Sequence, residues 1–215
     1  MKSPYPYIVV EGCIGAGKTT LSKMLANDFD ARLVLEQFDD NSFLPKFYLD
    51  PAKFAFPLEL SFLAERYQQL KGILSQTDLF HELTLADYFI QKSLIFARAT
   101  LPDDEFNLYS RLFNIIHPQL PVPDLVIYLY SDTNRLLRNI ARRGRSYEQS
   151  ISRDYLERIQ GGYMEYFKQQ PAHRILVVDT NHTDFVTIPE HYKWLCSLLE
   201  TSYQPGIHRI VPPWG

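Results

Sequence analysis

The chain has 215 residues, of which 46% are hydrophobic and 22% are charged, and its formal net charge is -3. This composition is typical of one globular domain with a sizeable core, and it argues against a general nucleic-acid binder or a membrane-surface protein. No apolar run is long enough to cross a bilayer, and the two cysteines argue against a disulfide framework. We therefore expect a protein of the reduced cytoplasm.

Strand-like apolar runs alternate with helical stretches, which predicts an α/β fold with a parallel sheet covered by helices. Five strands are predicted, at Tyr7–Val10, Arg32–Glu36, Leu83–Ala86, Asp124–Tyr130 and Arg174–Asp179. Helices are predicted from Thr20 onward and over Ala52–Ser75, Gln91–Leu101, Phe106–Ile116, Thr133–Arg142, Tyr155–Phe167 and His191–Leu199.

The helix predicted over Ala52–Ser75 carries apolar residues at mixed spacings of three and four, which is typical of one buried face. That face is predicted to comprise Phe56, Leu60, Leu63, Tyr67 and Leu70. The tail, residues 204–215, is rich in proline and is predicted to be irregular. Since the chain has no repeat or linker, residues 1–215 are predicted to form a single domain.

The segment from Gly12 to Thr19 fits G-x-x-x-x-G-K-[ST], the phosphate-binding loop (P-loop). It lies between a predicted strand and a predicted helix, where backbone N–H groups and the positive helix end attract phosphate oxygens. Lys18 would reach the β- and γ-phosphates, and the Thr19 hydroxyl would bind Mg²⁺. The sequence thus predicts a nucleoside triphosphate site formed by Gly12, Cys13, Ile14, Gly15, Ala16, Gly17, Lys18, Thr19 and Thr20.

Three carboxylates follow predicted strands, namely Glu36, Asp87 and Asp179. In open α/β sheets, ligands bind at the carboxyl ends of the strands. Phosphoryl transfer needs an acceptor for a hydroxyl proton and oxygen ligands around Mg²⁺. We predict that Glu36 and Asp87 divide these two roles.

Arginines cluster around one glycine after the fourth strand and its helix, at Arg142, Arg143 and Arg145. A basic helix end would explain such a cluster through the helix dipole alone. Beside a phosphate loop, however, arginine forks suit a lid that closes over a triphosphate and stabilises developing charge. We therefore predict an arginine-rich lid that includes Arg143 and Arg145.

The chain resembles the deoxynucleoside kinase family over residues 5 to 185. Four blocks carry the resemblance: the P-loop segment Glu11–Thr20, the N-P-[FY]-L-x-x-[FY]-Y-x-D-P-like block Asn41–Pro51, the R-G-R-x-x-E-Q-like lid Arg143–Gln149, and the adenine-side loop with Asp179 and Asp184-Phe185. The P-loop is common to many families, whereas the lid and the Asn41–Pro51 block are much more specific. The resemblance implies a three-layer P-loop NTPase fold and transfer of the ATP γ-phosphate to the 5′-hydroxyl of a deoxynucleoside, with Mg²⁺.

The resemblance also implies a role for each matching residue. Glu36 matches the catalytic base, and Asp87 matches the acid that supports Mg²⁺. Tyr48 and Glu148 match the pair that holds the sugar 3′-hydroxyl. Further matches are Arg143 and Arg145 at the phosphates, Asp179 at the nucleotide, Glu59 and Arg66 at the nucleobase edge, and Leu44 and Phe96 as walls of the base pocket.

Several positions depart from the family pattern. The arginine of the D/E-R-S motif is missing, since the chain reads Asp87-Tyr88-Phe89, and we predict that Lys92 supplies this charge. The usual base-reading glutamine is Glu59, which is either a surface group or a carboxylate that meets a donor-rich base edge. The next base-reading acid matches Ser93, and one lid arginine matches Asn139. The pattern indicates a divergent, bacterial-type branch of the family, and the base preference of the family does not carry over to it.

Three other functions are compatible with parts of this pattern. A nucleoside monophosphate kinase would share the fold but needs a cationic site for the acceptor's phosphate. A GTP-dependent switch protein would need N-K-x-D and D-x-x-G motifs, neither of which is found, and a nucleotide-binding module without activity is disfavoured by the intact site residues. As to partners, the resemblance implies a homodimer, and the apolar helices between residues 91 and 116 are the candidate contact. The charge balance argues against nucleic acid and membrane as partners.

Overall fold

The computed structural model describes residues 2–37, 41–74, 78 and 80–214. Within these residues, six parallel strands form one sheet in the order β2-β3-β1-β4-β5-β6. The central strands β1 and β4 are buried over almost their whole length because helices cover both faces of such a sheet. The strands are β1 (Tyr7–Gly12), β2 (Arg32–Val34), β3 (Thr84–Ala86), β4 (Leu125–Tyr130), β5 (Arg174–Asp179) and β6 (Gly206–Ile210).

The described α-helices connect successive strands and flank the sheet. Short 3-10 helices cover His117–Gln119 and Ser146–Glu148. The α-helices are α1 (Lys18–Asp28), α2 (Leu44–Leu49), α3 (Pro51–Leu74), α4 (Lys92–Thr100), α5 (Asp103–Ile116), α6 (Thr133–Arg143), α7 (Arg153–Lys168) and α8 (Pro189–Glu200). The predicted α/β class and P-loop type of fold are confirmed. Among the described residues, no helix combines the length and the apolar character needed to span a bilayer.

The predicted number of five strands is wrong, because the tail predicted to be irregular contains β6. This strand pairs with the otherwise free edge of β5, with Ile207 opposite Ile175 and Arg209 opposite Val177. The tail beyond it is anchored on α8, where Trp214 stacks on His191 with ring centroids 3.9 Å apart. An edge strand of alternating exposure has a weak local pattern, so its pairing depends on the free edge that β5 offers.

The predicted extension of the second strand to Glu36 is also wrong, since β2 ends at Val34. Beyond that point the backbone N–H of Glu36 donates to the Asp87 carboxylate at 2.7 Å. The chain therefore leaves the sheet two residues early, which brings Glu36 to the carboxyl edge beside the residue that follows β3.

The predicted buried face of α3 is only partly correct. Leu63 and Leu70 are buried, but Leu60 is 38% exposed. The buried face instead includes Glu59 and Arg66, which are 2% and 4% exposed. A charged residue on a buried face needs partners, and these partners lie at the site described next.

Candidate active site

A cavity of about 570 Å³ lies at the carboxyl ends of the strands. Its P-loop end is formed by Ile14–Thr20, α6 and the loop after β5, and its α3 end is formed by α2, α3, α4 and Tyr155 of α7. Glu36, Asp87 and Lys92 also line it, and their contacts link the two ends. The predicted residues that line the cavity are Ile14, Gly15, Ala16, Gly17, Lys18, Thr19, Thr20, Glu36, Leu44, Tyr48, Glu59, Arg66, Asp87, Lys92, Phe96, Arg143, Arg145 and Glu148.

The P-loop end has the backbone geometry of an anion cradle. Gly15 and Gly17 have φ angles of 84° and 91°, which favour glycine, and Gly17 precedes the first turn of α1. A Cβ atom on Gly15 would lie 2.8 Å from the Leu136 carbonyl oxygen. The Lys18 ammonium donates to the carbonyl oxygens of Gly12 and Cys13 at 2.9 and 3.2 Å. The loop thus presents a helix N-terminus and a lysine to the cavity, as phosphate recognition requires.

Thr19 and Asp87 form an oxygen-rich pair next to this loop. The Thr19 hydroxyl donates to Asp87 Oδ2 at 2.5 Å. Hydroxyl and carboxylate oxygens are ligands that Mg²⁺ prefers, so the pair fits this cation. In the part of the chain that the structure describes, no cluster of three or more acidic, histidine or cysteine side chains could hold a metal ion. A Mg²⁺ ion at Thr19 and Asp87 would take its other ligands from water and phosphate oxygens.

Glu36 is held by two cations at the junction of the two ends. Lys92 Nζ lies 2.5 Å from Glu36 Oε2, and Arg66 Nε and Nη2 lie 2.8 and 2.7 Å from Oε1. Burial alone would raise the pKa of Glu36, but Lys92 and Arg66 lower it to about 2. The carboxylate is therefore ionised at neutral pH and has fixed orientation.

The lid arginines meet Glu148 at the rim of the cavity. Arg143 Nε donates to Glu148 Oε2 at 3.0 Å, and Arg145 Nη1 lies 3.3 Å from Oε1. Tyr48 packs beside them, with its ring stacked 6.1 Å from that of Tyr147. Burial, with the Glu148 charge, raises the pKa of Tyr48, so its hydroxyl keeps its proton and remains a donor.

The α3 end is mainly apolar, with Leu44, Phe47, Phe62 and Phe96 among its walls. Glu59 is one of the charged residues among these walls, and its side chain is almost fully buried. Burial raises the pKa of Glu59 to about 7, although Arg66 and the Thr100 hydroxyl oppose this shift. A flat, apolar group with a few polar atoms on its edge suits such a pocket.

Three predicted residues lie outside the cavity lining. Gly12 and Cys13 contribute carbonyl oxygens to Lys18 instead. Asp179 ends β5, and its carboxylate accepts from the backbone N–H of Asn181 at 2.8 Å. Other residues of the same loop, among them Thr180 and Phe185, do line the cavity.

Sequence reasoning missed Arg135, whose guanidinium donates to the carbonyl oxygens of Asn181 and Thr183 and so ties α6 to the loop after β5. Its spacing of four from Asn139 and seven from Arg142 was a usable signal, since residues at this spacing share one helix face. Asn139 itself donates to the Gly15 carbonyl oxygen at 2.9 Å. Phe62 was missed as well, although it lies between Glu59 and Arg66 on the same face of α3.

This combination of a parallel sheet, a P-loop with its lysine and threonine, and an adjacent pocket with an ionised carboxylate defines a P-loop phosphotransferase. The sequence model of the deoxynucleoside kinase family matches residues 8–202. The chain therefore belongs to the deoxynucleoside kinase family of ATP-dependent enzymes. This membership confirms the predicted function over a monophosphate kinase or a switch protein.

Relatives and solved structures agree with this membership. A deoxyguanosine kinase of Bacillus subtilis (strain 168) is 37% identical over 84% of this chain and 89% of its own length. A deoxyadenosine kinase of Dictyostelium discoideum is 31% identical over 96% of this chain and 84% of its own. The structure of a deoxyadenosine kinase from M. mycoides, with dCMP and dCDP bound, matches with a TM-score of 0.78 and 26% identity, covering 90% of this chain and 98% of that one.

Proposed function

We propose that this kinase transfers the ATP γ-phosphate to the 5′-hydroxyl of a deoxynucleoside, with the triphosphate at the P-loop end and the nucleoside at the α3 end. The observation that carries this proposal is the position of Glu36, an ionised and largely buried carboxylate at the junction of the two ends. An acceptor hydroxyl that donates to Glu36 would face the triphosphate held by Lys18 and the loop backbone.

A carboxylate with so low a pKa is a weak base, yet this chemistry tolerates one. The transition state of phosphoryl transfer is loose, so little charge builds on the attacking oxygen before its proton leaves. Glu36 therefore contributes mainly by holding the hydroxyl in line and accepting its proton late. Lys92 and Arg66 fix the carboxylate for this task, and Lys92 takes the place of the arginine absent from the Asp87-Tyr88-Phe89 segment.

The P-loop end supplies charge stabilisation. Lys18 leaves the Gly12 and Cys13 carbonyl oxygens to contact the phosphates, and Thr19 with Asp87 would hold Mg²⁺. That cation would neutralise charge that develops on the phosphate oxygens. Arg143 and Arg145 turn from Glu148 toward the phosphates as the lid closes, since guanidinium forks match phosphate oxygens.

Glu148, released from these arginines, pairs with Tyr48 to hold the sugar 3′-hydroxyl through one donor and one acceptor. Leu44 and Phe96 enclose the base, and Glu59 and Arg66 lie at its edge. At the other end, Asp179 contributes through the loop that it begins, on the adenine side of ATP.

The proposal also includes a homodimer in the cytoplasm. The family resemblance is its main support, and the exposure of Leu108 and Ile115 on α5, 43% and 67%, is compatible with a subunit contact there. Light scattering after size-exclusion chromatography would measure the mass, and a monomer at micromolar concentration would contradict this part.

The test of the activity is to incubate the protein with Mg-ATP and each deoxynucleoside separately and to measure ADP release. We expect release with at least one nucleoside, and its loss in Lys18→Ala, which removes the P-loop ammonium. A preference for deoxynucleoside monophosphates would support a monophosphate kinase instead.

A further inference from the structure

Glu59 has an unmet hydrogen-bonding requirement inside the cavity. Its side chain is 2% exposed, and Oε1 accepts from the Thr100 hydroxyl at 3.1 Å. Oε2 is buried and has no hydrogen-bond partner among the described residues. Burying a carboxylate oxygen without a donor is costly, so a ligand that brings donors would bind here with advantage.

The polar side chains next to Glu59 form hydrogen bonds with other groups. All three guanidinium nitrogens of Arg66 contact Glu36 or Ser93. Thr100 has one hydroxyl proton and also lies 2.9 Å from the Phe96 carbonyl oxygen. Leu44, Phe47, Leu58, Phe62 and Phe96 supply mainly apolar walls around the carboxylate.

An ionised carboxylate offers acceptors only. Guanine carries two adjacent donors on one edge, N1–H and the 2-amino group, which match two carboxylate oxygens. Adenine and cytosine carry a donor beside an unprotonated ring nitrogen, which a carboxylate repels, and thymine has one donor between two acceptors. We infer that Glu59 selects a guanine-type base by accepting from N1–H and the 2-amino group together. This inference rests on the proposed function and names its substrate class.

The charge of Glu59 makes this selection dependent on pH. Because its pKa is about 7, the carboxylate gains its charge across the neutral range. When Glu59 is protonated, it has one acceptor fewer for the guanine donors. It also no longer repels the unprotonated ring nitrogen of adenine. The charged and titratable groups that interact with Glu59 are Arg66, Lys92, Glu36, Tyr48, Tyr109 and Tyr155. Glu36 has a pKa of about 2, and the pKa values of Arg66 and the three tyrosines are raised, so these five groups do not titrate in the same range.

The experiment is a competition between deoxyguanosine and deoxyadenosine in one reaction with Mg-ATP, which gives the ratio of their kcat/KM values. For the unaltered protein we expect a ratio that favours deoxyguanosine and rises about tenfold between about pH 6 and about pH 8. In Glu59→Gln, whose amide matches adenine, the ratio should fall at least about tenfold and lose its pH dependence. Glu82→Gln serves as the matched control, because the Glu82 side chain is 83% exposed and does not line the cavity, and it should behave as the unaltered protein.

Deoxyinosine provides an arm that needs no variant, since it lacks only the 2-amino group. Its kcat/KM should be about tenfold below that of deoxyguanosine in the unaltered protein. Equal use of the two nucleosides, or an unchanged ratio in a folded Glu59→Gln, overturns the inference. If deoxyadenosine or a pyrimidine nucleoside is phosphorylated and deoxyguanosine is rejected, the inference is wrong while the proposed function stands. If no deoxynucleoside is phosphorylated, the proposed function itself fails.

Discussion

The two ends of the cavity are built by different means. The P-loop end uses backbone groups and a helix N-terminus from one short segment, so its geometry follows from Gly15, Gly17 and Lys18 in sequence. The α3 end uses buried charged side chains that come from separate elements, such as Glu59, Arg66 and Lys92. A phosphate site made of backbone groups depends little on the surrounding side chains, whereas a buried charge is stable only when its partners are in place. Phosphate binding is therefore a local property of this chain, whereas nucleoside recognition depends on its tertiary structure.

The largest effect should come from Glu36, where the two ends meet. Glu36→Gln keeps the shape of the side chain but removes the charge that accepts the hydroxyl proton. We expect kcat to fall by about 10²- to 10⁴-fold while ATP binding, measured by calorimetry, stays close to normal. Turnover near that of the unaltered protein would refute Glu36 as the base and would remove the proposed junction between the ends.

Lys92 should have the next largest effect. Lys92→Ala frees Glu36 Oε2 from its 2.5 Å contact and leaves Arg66 as its remaining cation. We expect kcat to fall by about 10- to 100-fold, with partial recovery in Lys92→Arg, which restores a positive charge. Steady-state kinetics on both variants, with thermal melts to verify folding, would measure this. Unchanged kinetics in the alanine variant would reject Lys92 as the substitute for the missing arginine.

Gly15 tests the P-loop end by itself. In Gly15→Ala the new Cβ would lie 2.8 Å from the Leu136 carbonyl oxygen, and a φ of 84° is strained for alanine. We expect the ATP Kd to rise about tenfold while binding of the deoxynucleoside changes little. Equal weakening of both ligands would contradict the separation of the two ends.

The last effect concerns stability, not catalysis or binding, and again involves Glu59. Its pKa rises from an ordinary 4.5 to about 7 on folding, so between these values the folded protein holds a proton that the unfolded chain has released. The free energy of unfolding therefore falls as pH rises through this window, by about 3 kcal/mol in total. Glu59→Gln does not titrate, so the variant should gain stability relative to the unaltered protein as the pH rises from about 5 to about 8. Urea unfolding of both proteins at several pH values measures the difference in their free energies of unfolding. If this difference does not change with pH, the raised pKa of Glu59 is contradicted.

Several features were predictable from the sequence because they depend on local pattern. Continuous apolar runs gave β1, β4 and β5, and mixed spacings of three and four indicated most helices. The P-loop followed from its glycine spacing between a strand and a helix. The strand-end rule drew attention to Glu36 and Asp87, and the structure places them close together, with a 2.7 Å hydrogen bond from the Glu36 backbone N–H to the Asp87 carboxylate.

Other features were beyond a local pattern. Helix periodicity placed Leu60 in the core, yet it is exposed, while Glu59 and Arg66 are buried on the adjoining face. The periodicity of apolar residues cannot reveal a buried charge, because its burial is compensated by partners far away in the chain. The pairing of β6 was missed for a related reason, since a short edge strand gains its hydrogen bonds from β5 and not from its own composition.

The sequence by itself determined the α/β class, the phosphate cradle and the family resemblance, because each is carried by residues close together in the chain. Only the tertiary structure decided that Lys92 and Arg66 both hold Glu36, that Arg143 and Arg145 meet Glu148, and that one oxygen of Glu59 is buried without a donor among the described residues. The physical reason is electrostatic. The ionisation and orientation of a buried group depend on charges and solvent exclusion set by elements that fold together from distant parts of the chain.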